Sequence, residues 1–241
     1  MRLAGKTAVV TGAGSGFGAG IARRFAEEGA RVMVADINLA GAESVAREVE
    51  GVAQKVDVAQ DASVEAMIRA AREAFGRIDI LVNNAGVTHL PAAMEDVTES
   101  EFDRVLAVNA KSVYLTARHV VPHMKNRGTG AILNIASTAG VSPRPRLNWY
   151  NASKGWMITA TKAMAVELAP AGVRVNALNP VAGDTPLLAS FMGEDTPEMR
   201  AKFLSTIPIG RFSTPEDMGN AAAFLCSDEA GMITGVAMEV D

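Results

Sequence analysis

The sequence predicts an α/β fold, a doubly wound parallel seven-stranded sheet with helices on both faces, and three observations point to it. Seven short runs rich in β-branched residues alternate with longer Ala-rich segments of helical period, the order of strand and crossover in a parallel sheet. Hydrophobic residues fill 49% of the 241 positions and charged residues 21%, enough apolar side chain to bury such a sheet on both sides. No repeat, low-complexity tract or Pro/Gly/Ser-rich linker breaks the alternation, so residues 1–241 are expected to form one domain.

The strand runs are residues 7–10, 31–35, 52–56, 78–82, 131–135, 173–178 and 236–240, with six helical regions between them. Right-handed crossovers would bring the strand carboxyl ends to one edge, where a ligand crevice opens. Residues that carry chemistry are therefore sought at the strand ends.

The first strand runs into Thr11-Gly12-Ala13-Gly14-Ser15-Gly16-Phe17-Gly18, and a helix is expected to begin near Ala19. Small residues let the backbone approach a pyrophosphate, and a helix N-terminus offers free N–H groups and a partial positive charge. The spacing is T-G-x-x-x-G-x-G, and a tight strand-to-helix turn would by itself also use glycines. Asp36 ends the second strand, at the distance downstream expected of a ribose-binding acid. Its carboxylate would accept from the ribose hydroxyls and repel a 2′-phosphate, while neither Ser15 nor Ile37 supplies a rescuing cation. That favours NAD over NADP, unless Asp36 only caps the helix that follows at Asn38-Leu39.

Asn83-Asn84-Ala85-Gly86 ends the fourth strand, and Asn109 is placed in the next helix among Val105, Leu106, Val108 and Val113, where a buried amide needs partners. Ser137 closes the fifth strand and offers a hydroxyl at the crevice edge, as a strand-end turn serine also would. Tyr150 and Lys154 stand four apart on a helix and so share a face. A cation at about 5 Å in an effective dielectric of ~20 would favour the phenolate by roughly 3 kcal/mol, or about two pKa units. Tyr150 is thus expected to serve as a base near neutral pH, although a surface helix can carry the same pair by chance.

Residues 185–211 carry Pro186, Pro197 and Pro208 around an amphipathic piece at 198–204, and are read as a lid over the substrate. In the 141–149 segment Trp149 offers a flat wall to the substrate. Arg144 and Arg146 could attract a carboxylate or phosphate, or else be solvated or in subunit contacts. His89 falls where a pocket residue could lie. His119 and His123 read as surface residues, and no metal-ligand spacing is present. The net charge of −4 gives no basic surplus for nucleic acid. Cys226, the single cysteine, lies in an apolar run and reads as buried. No apolar stretch is long enough to span a bilayer, and a cytoplasmic location is expected.

Together these ordered motifs, from Thr11 to Asp241, closely resemble the short-chain dehydrogenase/reductases of the simple single-domain type, with their Rossmann-like fold. The resemblance implies that Gly12, Gly16 and Gly18, with Ser15 and Phe17 between them, hold the pyrophosphate of NAD. It places Asp57 and Val58 beside the adenine, and Asn83, Ala85 and Gly86 near the cofactor. It places Pro180, Gly183 and Thr185 around the nicotinamide. Asn109, Ser137, Tyr150 and Lys154 become the catalytic set, with Asn109 ordering a water that leads protons from Lys154. The implied activity is hydride transfer between a secondary alcohol or ketone and NAD(H), in a homotetramer with a small-molecule substrate. Two positions depart from the family: Val181 stands where glycine is usual after Asn179-Pro180, and Gly183 replaces a bulkier aliphatic. The chain also stops at Asp241 where relatives commonly continue, so that it is either shortened or altered at a tetramer contact. Within the family the rival is a 3-oxoacyl-carrier-protein reductase, which usually prefers NADPH. Outside it the rival is a non-catalytic NAD-binding regulatory protein.

Overall fold

Parallel strands covered on both sides are apolar on both sides, as the central strand runs here are. A computed structural model describes residues 1–241. Its strands are β1 (Thr7–Thr11), β2 (Arg31–Asp36), β3 (Val52–Lys55), β4 (Ile80–Asn83), β5 (Gly130–Ile135), β6 (Val173–Pro180) and β7 (Ala237–Val240). They form one seven-stranded sheet in the order β3-β2-β1-β4-β5-β6-β7, every pairing parallel. The order reverses between β1 and β4, and the carboxyl ends of those two strands flank the crevice.

Alternate residues of each strand feed two separate cores, as a side-chain period of two requires. Val10, Val34, Ile80 and Val82 pack on one face, against α1 (Gly16–Glu27) and the helix Pro215–Cys226. Val9, Met33, Leu81 and Ile132 pack on the other, against α3 (Asp61–Phe75) and helices later in the chain. The remaining helices are α2 (Leu39–Glu48), α4 (Glu99–Leu106), α5 (Ser112–Arg127), α6 (Asn148–Leu168), α7 (Leu188–Met192), α8 (Pro197–Leu204) and α9, the Pro215–Cys226 helix already named.

Several boundaries move for local reasons. Helix α1 begins at Gly16 rather than near Ala19, because Gly16 itself turns the chain with φ +54°. Strand β4 starts at Ile80 rather than Ile78, since the Asp79 carboxylate is a hub that accepts from Thr7 N (2.8 Å), Arg77 and Arg127. Strand β6 runs on to Pro180, which pairs with Val240 at the end of the sheet. Residues 107–111 form a π-helical turn joining α4 to α5, where the sequence reads as one continuous helix. The 185–211 segment contains two short helices, α7 and α8.

Candidate active site

The first strand end and the fourth are stitched together by side chains. Thr11 Oγ1 accepts from Asn84 N (3.1 Å) and Ala85 N (3.2 Å), and Asn84 Nδ2 donates to Thr11 O and Gly12 O, each at 2.9 Å. Gly12 holds φ +62°, and a Cβ there would lie 2.7 Å from Ala85 Cα, so only glycine fits this crossing. Gly12, Ser15, Gly16 and Phe17 face the crevice. Gly18 does not: a Cβ there would overlap Gly12 O and Asn84 Nδ2, so it seats the helix on the turn. Ser15 makes no side-chain cap, which leaves the first N–H groups of α1 without a side-chain partner beside the crevice.

Asp36 spans the next gap. Its Oδ2 accepts from Gly14 N and its Oδ1 from Asn38 N, both at 2.9 Å, and it lines the same cavity. Asn38, not Asp36, caps α2, through Gly41 N. Asp57, Val58, Ala85 and Gly86 also line the cavity. Asn83 does not, contrary to its expected place near a cofactor. Its Nδ2 donates to Asn134 Oδ1 and its Oδ1 accepts from Thr116 Oγ1, both at 2.8 Å, so the side chain is spent inside the fold.

At the other end, α6 brings Tyr150 and Lys154 onto one face, with Nζ 5.8 Å from the ring centroid. Both are buried, at 5% and 4% exposure. Lys154 Nζ donates to Ile135 O at 2.8 Å, which ties α6 to the end of β5. Ser137 follows on from β5, accepts from Ala139 N at 3.1 Å and lines the cavity with Tyr150. Asn109 is turned inward by the π-helical turn and is fully enclosed. Its Oδ1 accepts from Val87 N, and its Nδ2 donates to Val87 O and Ser153 Oγ, all at 2.9 Å. It faces Lys154 across Gly86, where a Cβ would lie 3.4 Å from Nζ and 3.6 Å from Asn109 Oδ1, but it does not reach the cavity itself.

The ionisation expected of this pair is reversed. Burial pushes the Tyr150 phenol up to about 12, and the Ser137 hydroxyl only partly opposes it. Burial also lowers Lys154 to about 8, so the neighbouring amine is itself a reluctant cation. Desolvation outweighs the attraction that the helical spacing suggested, and near pH 7 Tyr150 is a protonated acid. Cys226 is buried and its thiol pushed up to about 12, which leaves it inert.

One cavity of about 440 Å³ joins the two ends, from Asp36 past the glycine turn to Ser137, Tyr150 and Lys154, and on to Arg144. Pro180, Gly183 and Thr185 line its middle. The Gly183 departure has a partner, since the Phe17 ring occupies the space that a side chain at 183 would take. Beyond Tyr150 the walls are apolar apart from Arg144. Phe191 meets its ring edge-on at 5.0 Å, and Leu147 and Phe203 continue the surface. Sequence reasoning missed Phe191 and Phe203, whose only signal was an aromatic in each short helix of the 185–211 segment. Trp149 is not the expected wall: it packs on Phe102 at 5.3 Å and donates to Met94 O, outside the cavity. His89 is likewise outside, buried with Nδ1 against Leu90 O at 2.8 Å, while His119 pairs with Asp61. No group of three or more His, Cys, Asp or Glu residues is arranged to hold a metal, and no helix is long and apolar enough to cross a membrane.

Comparison with known proteins agrees with this geometry. A family model described as enoyl-(acyl carrier protein) reductase matches residues 12–241. The chain is 49% identical to 4-formylbenzenesulfonate dehydrogenase of Comamonas testosteroni, with 100% of this chain and 98% of the relative covered. It is 39% identical to a 3-oxoacyl-[acyl-carrier-protein] reductase of Thermotoga maritima, at 100% and 98% coverage. Among solved structures it superposes on a 3-ketoacyl-(acyl-carrier-protein) reductase of Brucella melitensis complexed with NADH, with TM-score 0.94, 52% identity, and 99% and 98% coverage. It also superposes on a levodione reductase, with TM-score 0.96, 31% identity, and 100% and 97% coverage. The chain belongs to the short-chain dehydrogenase/reductase family, whose members are nicotinamide-dependent oxidoreductases.

Proposed function

We propose that the protein interconverts a secondary alcohol and a ketone with NAD(H), using Tyr150 as acid and base. The observation that carries this reading is the single cavity with a carboxylate at one end and a buried phenol, hydroxyl and amine at the other. A dinucleotide fits the residues present: glycine backbone at the turn, unpaired N–H groups at the start of α1, and Asp36 beyond them. Gly12, Ser15, Gly16 and Phe17 would hold the pyrophosphate, Asp57 and Val58 the adenine, and Pro180, Gly183 and Thr185 the nicotinamide. When bound, the cofactor supplies hydride exchange with the substrate carbon.

The chain's own groups do the rest. Ser137 and Tyr150 hold the substrate oxygen. The protonated phenol gives its proton to that oxygen in ketone reduction and takes it back in alcohol oxidation. Lys154 grips the nicotinamide ribose and sets the charge beside the phenol, and Asn109 positions the Val87 backbone and Ser153 behind it. Segment 185–211 covers the substrate with Phe191 and Phe203. We further propose a cytoplasmic homotetramer built on α5 and α6, where Tyr114, Trp156 and Val166 are exposed apolar residues.

Asp36 sets the nucleotide preference. Replacing its charge while keeping its shape, Asp36→Asn should shift the ratio of kcat/KM for NADH over NADPH toward NADPH by roughly 10- to 100-fold, the scale of a charge-assisted hydrogen bond. A ratio left unchanged would remove Asp36 from nucleotide selection.

A second reading, 3-oxoacyl-carrier-protein reductase, draws on the relatives that carry that name. The Brucella melitensis protein was solved with NADH, so nucleotide preference alone does not separate the two readings. A panel of ketones, alcohols and 3-oxoacyl thioesters, assayed by NADH consumption or NAD reduction, does separate them. Turnover of simple ketones and alcohols supports the first reading, and turnover of thioesters alone the second. Bound NADH with no turnover would make the chain a cofactor-binding regulator.

A further inference from the structure

Two cations reach the cavity. Lys154 lies deep, donating to a backbone carbonyl, and Arg144 lies in the wall beyond Tyr150. Arg144 is partly buried, and no carboxylate lies within ion-pairing distance of its guanidinium. Its surroundings are built rather than loose. Its carbonyl accepts from Asn151 Nδ2 of α6 at 2.7 Å, which fixes its backbone to the helix that carries Tyr150. One guanidinium nitrogen donates to Thr206 Oγ1 at 3.1 Å, and the group stacks over the Phe203 ring of α8 at 4.6 Å. A guanidinium carries five N–H donors in a planar fork that matches a carboxylate, and the Thr206 bond uses one of them. The cavity's two acids, Asp36 and Asp57, lie at the far end beyond the glycine turn.

A cation partly withdrawn from water without a counterion is unfavourable until something supplies the negative charge. Burial shows in its ionisation, which is lowered by desolvation alone. The space between Arg144 and Tyr150 is walled by Leu147, Phe191 and Phe203, and so takes an apolar or aromatic body. We infer that Arg144 recognises an oxyanion on the substrate, which is a hydrophobic ketone or alcohol bearing a carboxylate or a similar acid group. The inference rests on Tyr150 marking the reacting end of the cavity. Because Arg144 is held by Phe203 and Thr206, the anion also docks where the 185–211 segment meets the catalytic helix. Arg146 does not share this role: it is exposed and donates to Pro91 O from outside the cavity.

The test uses two aryl ketones of nearly equal shape, 4-acetylbenzoate and 4-acetylbenzamide, against the NADH-loaded enzyme. Calorimetric binding is measured with a non-reducing NADH analogue, and kcat/KM with NADH. The wild type should bind the carboxylate roughly 10- to 100-fold more tightly than the amide, the range of a charge-assisted pair. Arg144→Met should abolish that ratio, and Arg144→Lys should restore part of it, because it keeps the charge and loses the fork. Equal binding of the two probes by the wild type, or a ratio that survives in Arg144→Met, would overturn the inference. The amide serves as the internal control for a damaged fold. If the enzyme binds the carboxylate through Arg144 but reduces neither ketone, the reading of Tyr150 fails while anion recognition stands. Reduction of both ketones at equal efficiency does the reverse.

Discussion

Tyr150→Phe should bind NADH within about twofold of the wild type and lose roughly 10²- to 10⁴-fold in kcat, the range that a positioned acid/base contributes. The variant keeps the ring and its edge contact with Phe191 at 5.0 Å, so the wall of the cavity is preserved. It removes one hydroxyl, the one that Ser137 faces. Stopped-flow or steady-state NADH oxidation with any ketone that the wild type accepts reads the chemistry, and quenching of protein fluorescence reads the cofactor. Rates like those of the wild type would remove Tyr150 from the reaction.

Lys154→Met should lose activity and gain stability. The folded state holds this amine at about 8, below its ordinary 10.5. A folded pKa below the unfolded value means that stability is fully present above about 10.5 and is lost as pH falls through about 8. At pH 7 the unliganded wild type therefore folds against a buried charge, and methionine removes that burden while leaving Ile135 O without its donor. The net gain should be about 1–3 kcal/mol in denaturant unfolding at pH 7, with kcat lower by roughly 100-fold or more. Wild-type stability should rise between pH 7.5 and 10, a slope that the variant lacks. A variant less stable than the wild type at pH 7 would show that the amine is held as a well-compensated cation.

The sheet was legible because its central strands are buried on both faces, so that runs such as Ala8-Val9-Val10 carry no polar interruption. The strand ends were legible for the same reason: Gly12, Asp36, Asn84 and Ser137 are where the apolar runs stop. What escaped is what depends on the third dimension. Ala107-Val108-Asn109 reads as plain helix, and nothing in those residues announces the π-helical turn that swings Asn109 inward. Trp149 sits next to Tyr150 in sequence, but adjacent residues on a helix diverge by about 100°, which carries its ring away from the cavity. Asn83 and Asn84 are equivalent as text, and strand alternation sends the first into the fold and the second to the turn. The sign of the Tyr150 shift failed for a related reason. The amine was visible four residues on, whereas the enclosure that desolvates the phenol comes from remote Phe191 and from the packing of α6 on the turn at residues 138–140.

In the proposed mechanism a buried phenol, protonated in the free enzyme, is converted into a usable base when cofactor is loaded beside it. The chain has two tyrosines, Tyr114 and Tyr150, so phenolate absorbance can be followed one residue at a time. Ultraviolet difference titration from pH 6 upward should show the Tyr150 phenol of the free enzyme protonated up to about pH 11. With saturating NAD the Tyr150 ionisation should move down by roughly two pKa units, since the added nicotinamide cation is worth roughly 3 kcal/mol, and the NAD-dependent shift should vanish in Tyr150→Phe. A titration that NAD leaves unchanged would remove Tyr150 as the cofactor-activated base.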